Sequence, residues 1–210
     1  GSYANEQFPK SNGTIGHLYI PMISFCDIPL SQLQYIVYGN YAIGMSRVWG
    51  NDQPLCPVSY FPNNRRANFT KFITDCFDNF PKNALQYSKI LGYVKPVKKF
   101  KEKGYAPHRR RDNYIEREWR KIYLKDWLRN SDQYVSFNEK NESPLLNHFI
   151  ARFRPTHVDM IVVESEEDRE NLISKIQSLQ QIGGYHNITD KDRLLLISKI
   201  TTIDEIKKNY

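Results

Sequence analysis

The run Val158-Asp159-Met160-Ile161-Val162-Val163 and the residues behind it constrain the fold most. Six largely β-branched residues are too few for a buried helix and fit a strand enclosed on both sides. They lead straight into Glu164-Ser165-Glu166-Glu167-Asp168, a first helical turn whose carboxylates complement the positive end of a helix dipole. Leu172, Ile173, Ile176 and Leu179 then recur at helical spacing, and Gly183-Gly184 supplies the stop. A second apolar run over 194–200 predicts another buried strand. Strand, helix and strand in this order form a crossover unit whose two strands lie parallel when they share a sheet.

Upstream, the pattern alternates short strands and helices without repeats or low-complexity linkers. Strands are expected over 17–25, with Pro21 marking an edge position, over 41–48, with Gly44 at a bulge or close approach, and over 58–61. A short helix starting near Pro29 is expected to run to Tyr38. Phe69, Phe72, Ile73, Cys76, Phe77 and Phe80 carry the apolar stripe of a helix over 64–80, ended by Pro81, and a second helix covers 83–91 before Gly92. Strands over 93–100 and 113–123 then read as a long hairpin. The class is therefore α+β, with a mixed, mostly antiparallel sheet, flanking helices and the C-terminal strand-helix-strand unit. At 210 residues, one domain over 3–210 is the expectation. Gly1-Ser2 reads as a cloning scar, with the natural N-terminus upstream.

No apolar run reaches the roughly 18 residues of a membrane span, and the first residues lack a basic then apolar leader, so a cytoplasmic protein without membrane contact is expected. Cys26, Cys56 and Cys76 each adjoin apolar or aromatic residues, as buried free thiols do. No CxxC, HxxxH or HExxH spacing occurs, so no metal site is expected. Gly39 to Ser46 imitates a phosphate-binding loop in spacing, but Met45 stands where its lysine is required.

The charge is unevenly placed. The chain carries a formal +7, and the window 95–121, with eleven basic and four acidic residues, accounts for all of it. Lys98, Lys99, Lys101, Arg109, Arg110 and Arg111 form either a polyanion- or partner-binding patch, with Tyr105, Tyr114 and Trp119 as stacking faces, or an exposed solvated loop. At the end of this window, alternation along 113–123 sets Glu116, Glu118 and Arg120 on one side of a strand. Facing a cleft, Arg120 would hold one carboxylate ionised while the other serves as a base. Facing solvent, the same residues would be an ion-pair ladder of small energetic worth.

Three separated blocks carry a family likeness. Ser24-Phe25-Cys26-Asp27-Ile28-Pro29-Leu30-Ser31, then Tyr38-Gly39-Asn40-Tyr41-Ala42-Ile43-Gly44-Met45-Ser46 with Trp49, and Tyr114-Ile115-Glu116-Arg117-Glu118-Trp119-Arg120 resemble, in order and spacing, the blocks of the AbiGi family. Pro57-Val58-Ser59-Tyr60, Lys95-Pro96 and the strand at Asp159 add weaker agreement, so the likeness spans about 19–179. The resemblance implies a phage-defence setting and an antitoxin-like role, with a nucleotidyltransferase-like toxin as cognate partner; the charge of the basic loop, not the resemblance, makes nucleic acid a second candidate partner. The resemblance also implies a further strand and helix before the first block, for which this sequence has no obvious equivalent. The polar residues of the blocks need partners if buried, which makes Asp27, Ser31, Asn40, Tyr41, Ser46 and Trp119 candidates for lining a ligand pocket. The mixed pattern and strand-borne Glu118 also resemble ADP-ribosyltransferase-like folds. On that alternative Glu116, Glu118 and Arg120 would be catalytic, NAD the cofactor and nucleic acid or protein the acceptor; otherwise no cofactor is expected.

Overall fold

The computed structural model describes residues 2–33, 39–82, 84–98, 112–122, 151–182 and 186–209. In chain order these form β1 (Ser2–Pro9), β2 (Ile15–Cys26), α1 (Leu30–Leu33), β3 (Ala42–Met45) and α2 (Arg47–Asp52). Then come β4 (Cys56–Pro57), β5 (Ser59–Phe61), α3 (Asn68–Asp78), α4 (Ala84–Leu91), β6 (Val94–Pro96) and β7 (Glu118–Ile122). The C-terminal part holds β8 (Val158–Val163), α5 (Glu166–Ser178), β9 (Gln181–Ile182), β10 (His186–Asn187), α6 (Asp190–Ile197), β11 (Ile200–Thr202) and α7 (Ile203–Asn209). The mixed class with chiefly antiparallel pairing agrees with the sequence. Two compact units divide the chain, Gly1–Asp27 with Leu55–Ile150, and Ile28–Pro54 with Ala151–Tyr210.

The first unit is built on a sheet of order β1-β2-β7-β4, antiparallel throughout. Its β1 was not anticipated: residues 2–8 alternate Ala4, Glu6 and Phe8 with polar neighbours, a strand pattern, and it supplies a strand ahead of the first family block. Pro21 lies where β2 pairs with β1 alone, one residue before pairing with β7 begins at Met22, so the edge expected there holds locally while the strand as a whole is central. Phe8, Leu18, Ile20 and Met22 on the sheet's inner face pack with Phe61, Ile73, Cys76, Phe80, Leu91 and Val94. Each large apolar side chain so enclosed contributes roughly 1.5–3 kcal/mol. The helix expected over 64–80 is α3, which buries Thr70, Ile73 and Cys76, while Phe69 and Phe72 of the same stripe remain 42% and 47% exposed.

Among the described residues, 93–98 and 113–122 do not make the long hairpin expected over 93–100 and 113–123; residues 99, 100 and 123 lie outside the described ones. β6 pairs in parallel with β5, and among the described residues antiparallel pairing between the two arms is the bridge at Lys98 and Asp112. Residues 113–116 form a 3-10 turn rather than the start of a strand. Arg117 follows in the left-handed region, φ 43°, ψ 52°, and β7 begins only at Glu118. Cys76 is buried as expected, whereas Cys26 and Cys56 are exposed, and all three are free thiols.

In the second unit β8 lies between β11 and β3. β11 pairs with it in parallel, as the crossover reading requires, and β3 antiparallel, with a register shift at Gly44/Met45. The apolar run 194–200 is not itself the second strand. Thr189 and Asp192 make a reciprocal capping box that starts α6 at Asp190, so Leu194 to Ile197 are helical and the strand begins at Ile200. Likewise the strand predicted over 41–48 stops at Met45, because the Ser46 hydroxyl accepts the Trp49 N–H and caps α2. Val158, Ile176 and Leu196 form the core here. Among the described residues no helix is long and apolar enough to cross a membrane.

Candidate functional site

Along β7, side chains alternate between faces, so Glu118 and Arg120 point into the first unit while Trp119 takes the opposite face. Arg120 is fully buried. Its Nε donates to Glu118 Oε1 at 2.7 Å and its Nη2 to Glu118 Oε2 at 2.9 Å, the bidentate arrangement that a planar guanidinium favours. Nη1 donates to the Gly92 carbonyl at 3.0 Å, and Nη2 also reaches Glu6 on β1. Gly92 leaves room there, since a Cβ would stand 2.3 Å from Ile122 Cδ1 and 3.0 Å from the Ser88 carbonyl, so that Ile122 would have to turn aside and the backbone to give. From β6, Lys95 Nζ lies 2.8 Å from Glu116 and 3.0 Å from Glu118. The Glu118 N–H donates to the Tyr60 hydroxyl at 3.0 Å.

Register shows how far the sheet must curl to close this cluster. Glu6 stands opposite Leu18 and Arg120 opposite Ser24. Six residues of extended chain span ~20 Å, beyond the reach of the two side chains on a flat sheet. Contact between them therefore follows from coiling of β2 around the core.

Three carboxylates face two cations, one formal negative charge in excess, and the pKa shifts show where it falls. Burial alone would push the Glu118 carboxyl up, but hydrogen bonds and charge from Arg120, then the charge of Lys95 and a Ser24 hydrogen bond, bring it down to about 2. Glu6 goes the other way: burial raises it, and the single contact with Arg120 and the charge of Lys95 do not overcome that burial and the repulsion of Glu118. Lys95 and Arg120 are raised; burial disfavours their charge, yet the surrounding carboxylates outweigh it. Burial and the nearby Glu116 and Glu118 push the Cys26 thiol up to about 11, which keeps it protonated and a poor nucleophile although part of its surface is open.

The three residues expected to act together, Glu116, Glu118 and Arg120, are thus brought together, in neither an open cleft nor a solvent-facing ladder. Glu116 joins from the 3-10 turn through Lys95, not from the strand. With both oxygens of Glu118 engaged and 7% of its side chain exposed, the cluster binds β1, β6 and β7 to one another. Glu6 and Lys95 were not singled out as members, Lys95 being counted with the basic patch.

The expected pocket residues divide between the units. Asp27 and Trp119 belong to the first, where the Asp27 N–H donates to the Arg117 carbonyl at 3.3 Å. Ser31, Asn40, Tyr41 and Ser46 belong to the second. There Ser46 is occupied as the cap of α2, Asn40 is exposed, and Tyr41, 60% exposed, hydrogen-bonds Asp168, which raises its phenol above the ordinary value. Lys98 is exposed and paired with Asp112 at 3.2 Å, while Lys99, Lys101, Arg109, Arg110 and Arg111 lie outside the described residues. Among the described residues no group of three or more His, Cys, Asp or Glu side chains is placed to hold a metal ion.

A family model described as "Putative abortive phage resistance protein AbiGi, antitoxin" matches residues 2–164. The Abortive phage resistance protein AbiGi of Lactococcus lactis subsp. cremoris is 28% identical over 239 aligned residues, covering 96% of this chain and 93% of that protein. No solved structure matches. The matched stretch begins with β1 and takes in Glu6, Lys95, Glu116, Glu118 and Arg120, so the cluster and the likeness occupy the same part of the sequence. By a match over more than three-quarters of its length, the chain belongs to the AbiGi family of abortive phage resistance proteins, described as antitoxins.

Proposed function

We propose that this chain is the antitoxin of an abortive-infection pair, which binds a cognate nucleotidyltransferase-like toxin and holds it inactive until phage infection releases it. The observation that carries this reading is the engagement of Glu118 and Arg120 by each other and by Glu6 and Lys95 in the interior. Residues so committed hold the fold in shape, and the chain meets its partner through its surface. A transferase drawing on NAD would need a glutamate free to orient a substrate hydroxyl. Burial pushes the Glu118 carboxyl up, but Arg120 and Lys95 bring it down to about 2, which makes it a weak base, and the antitoxin role is proposed without a cofactor.

The test is co-expression with the product of the adjacent gene. Rescue of growth together with co-purification of the two proteins is expected; neither rescue nor a complex would overturn the proposal. The basic window supports a second contact with nucleic acid, as in antitoxins that bind their own operator. Reversing Arg109, Arg110 and Arg111 to glutamate should then weaken binding to promoter DNA and flatten its salt dependence, with unchanged binding counting against that contact.

A further inference from the structure

The block 114–120 sends its side chains two ways. Glu116, Glu118 and Arg120 go inward to the charge cluster, while Tyr114, Ile115 and Arg117 go outward, Tyr114 at 60% and Ile115 at 47% exposure. The outward three sit on a knuckle that is pinned on all sides. Asn113, buried, donates through Nδ2 to the Pro96 carbonyl and through its N–H to the Val97 carbonyl, both at 2.7 Å. The Tyr114 ring packs edge-on against Tyr60, centroids 5.4 Å apart. Arg117 donates its N–H to the Tyr114 carbonyl and accepts from the Asp27 N–H. Glu116 and Glu118 on either side are anchored by Lys95.

Among the described non-glycine residues, Arg117 has a positive φ, a conformation that L-residues adopt at a steric cost. An exposed arginine persists there because the turn must deliver Glu116 and Glu118 to one lysine, and its side chain is displayed by that geometry. The acids of the segment are engaged, Asp112 by Lys98 and Glu116 and Glu118 by Lys95 and Arg120. Arg117 is an outward charge of the knuckle, with Asp27 exposed at its rim. A rigid tyrosine, an aliphatic side chain and an arginine are what protein interfaces use as anchors.

From this we infer that the Tyr114–Ile115–Arg117 knuckle is the contact through which the chain grips its toxin, at an apolar pocket bordered by a carboxylate. The basic balance of the chain, a formal +7, favours an acidic partner. The inference rests on the antitoxin reading and deepens it.

It is tested with the adjacent-gene toxin co-expressed with tagged wild-type chain and with Tyr114→Ala, Ile115→Asp, Arg117→Glu and Arg117→Gly, each checked for thermal unfolding. Arg117→Gly suits the backbone and removes only the displayed group, so it separates recognition from folding. Expected is at least tenfold weaker toxin binding for Ile115→Asp and Arg117→Glu, and several-fold weaker for Arg117→Gly with its melting temperature kept. If the wild type binds and Arg117→Gly and Tyr114→Ala bind equally well, the knuckle is not the contact and the antitoxin reading survives. If the wild type itself binds no toxin, both fall. Loss of single-stranded DNA binding in these variants with toxin binding intact would overturn the assignment to a protein partner.

Discussion

The two units solve the same problem, satisfying charged and polar groups, at opposite ranges of sequence. In the second unit three helix starts are answered locally: Ser165 with Asp168, Thr189 with Asp192 and Thr202 with Glu205 each form a reciprocal pair three residues apart, although Arg169 also reaches Glu205 across 36 residues. In the first unit the answers are distant, with Lys95 reaching Glu116 and Glu118 across 21 and 23 residues and Arg120 reaching Glu6 across 114. Local pairs at a helix start are half-solvated and individually modest, whereas the distant cluster is largely cut off from water. Losing one member should therefore cost far more in the first unit than in the second.

Arg120→Ala gives the largest expected effect, since it strands Glu6 and Glu118 in the interior. About 3–5 kcal/mol of stability should vanish, read as a fall in the urea midpoint, and a loss below 1 kcal/mol would erase the contrast between the units. Acid titration comes next. Burial pushes the Glu118 carboxyl up, but Arg120 and Lys95 bring it down to about 2, against an ordinary 4.5, so the stability it contributes is complete above pH 4.5 and drains away as pH falls toward 2. Glu205 is brought to about 2 by hydrogen bonds from Thr202 and Thr201 and by Arg169, and it acts in the same acid range.

Glu6 has the opposite sign. Its raised carboxyl favours the protonated form in the fold, a contribution present below pH 4.5 and lost as pH rises through its raised value. Glu6→Gln should remove the fall on the alkaline side, and urea midpoints measured across pH that still decline as in wild type would refute the assignment. Smaller still, Ser165→Ala and Thr189→Ala should each cost about 1 kcal/mol. Arg117→Gly should sit near zero, within about 0.5 kcal/mol, because relief of the left-handed backbone offsets the freedom glycine gains when unfolded.

This difference in range also explains what could be read from the sequence. α3, α4, β8 and the start of α5 were legible because their signals, apolar spacing, the Gly92 stop and first-turn acids, lie within or beside the element itself, whereas α5 ends at Ser178, ahead of the expected stop at Gly183-Gly184. α6 was readable too, in Thr189-Asp190-Lys191-Asp192, but the apolar run 194–200 drew attention toward a strand. Within 113–123 the alternation of residue types gave the correct faces for Glu118 and Arg120. It could not reveal the left-handed Arg117 that turns Glu116 back toward Lys95, since that conformation is imposed by partners elsewhere in the chain. Glu6 was hidden for the same reason: a lone glutamate in an alternating N-terminal stretch says nothing about an arginine 114 positions away.

That separation also sets an order of events during synthesis. At about 5–20 residues per second, β1 and β2 leave the ribosome several seconds before β7 is made to join them. Meanwhile the hairpin holds Glu6 without its guanidinium and presents the Met22–Cys26 border of β2 bare, the kind of border that recruits foreign strands. The nascent chain is most prone to mispairing in that interval, and arrival of Arg120 ends it by fastening β1 to β7.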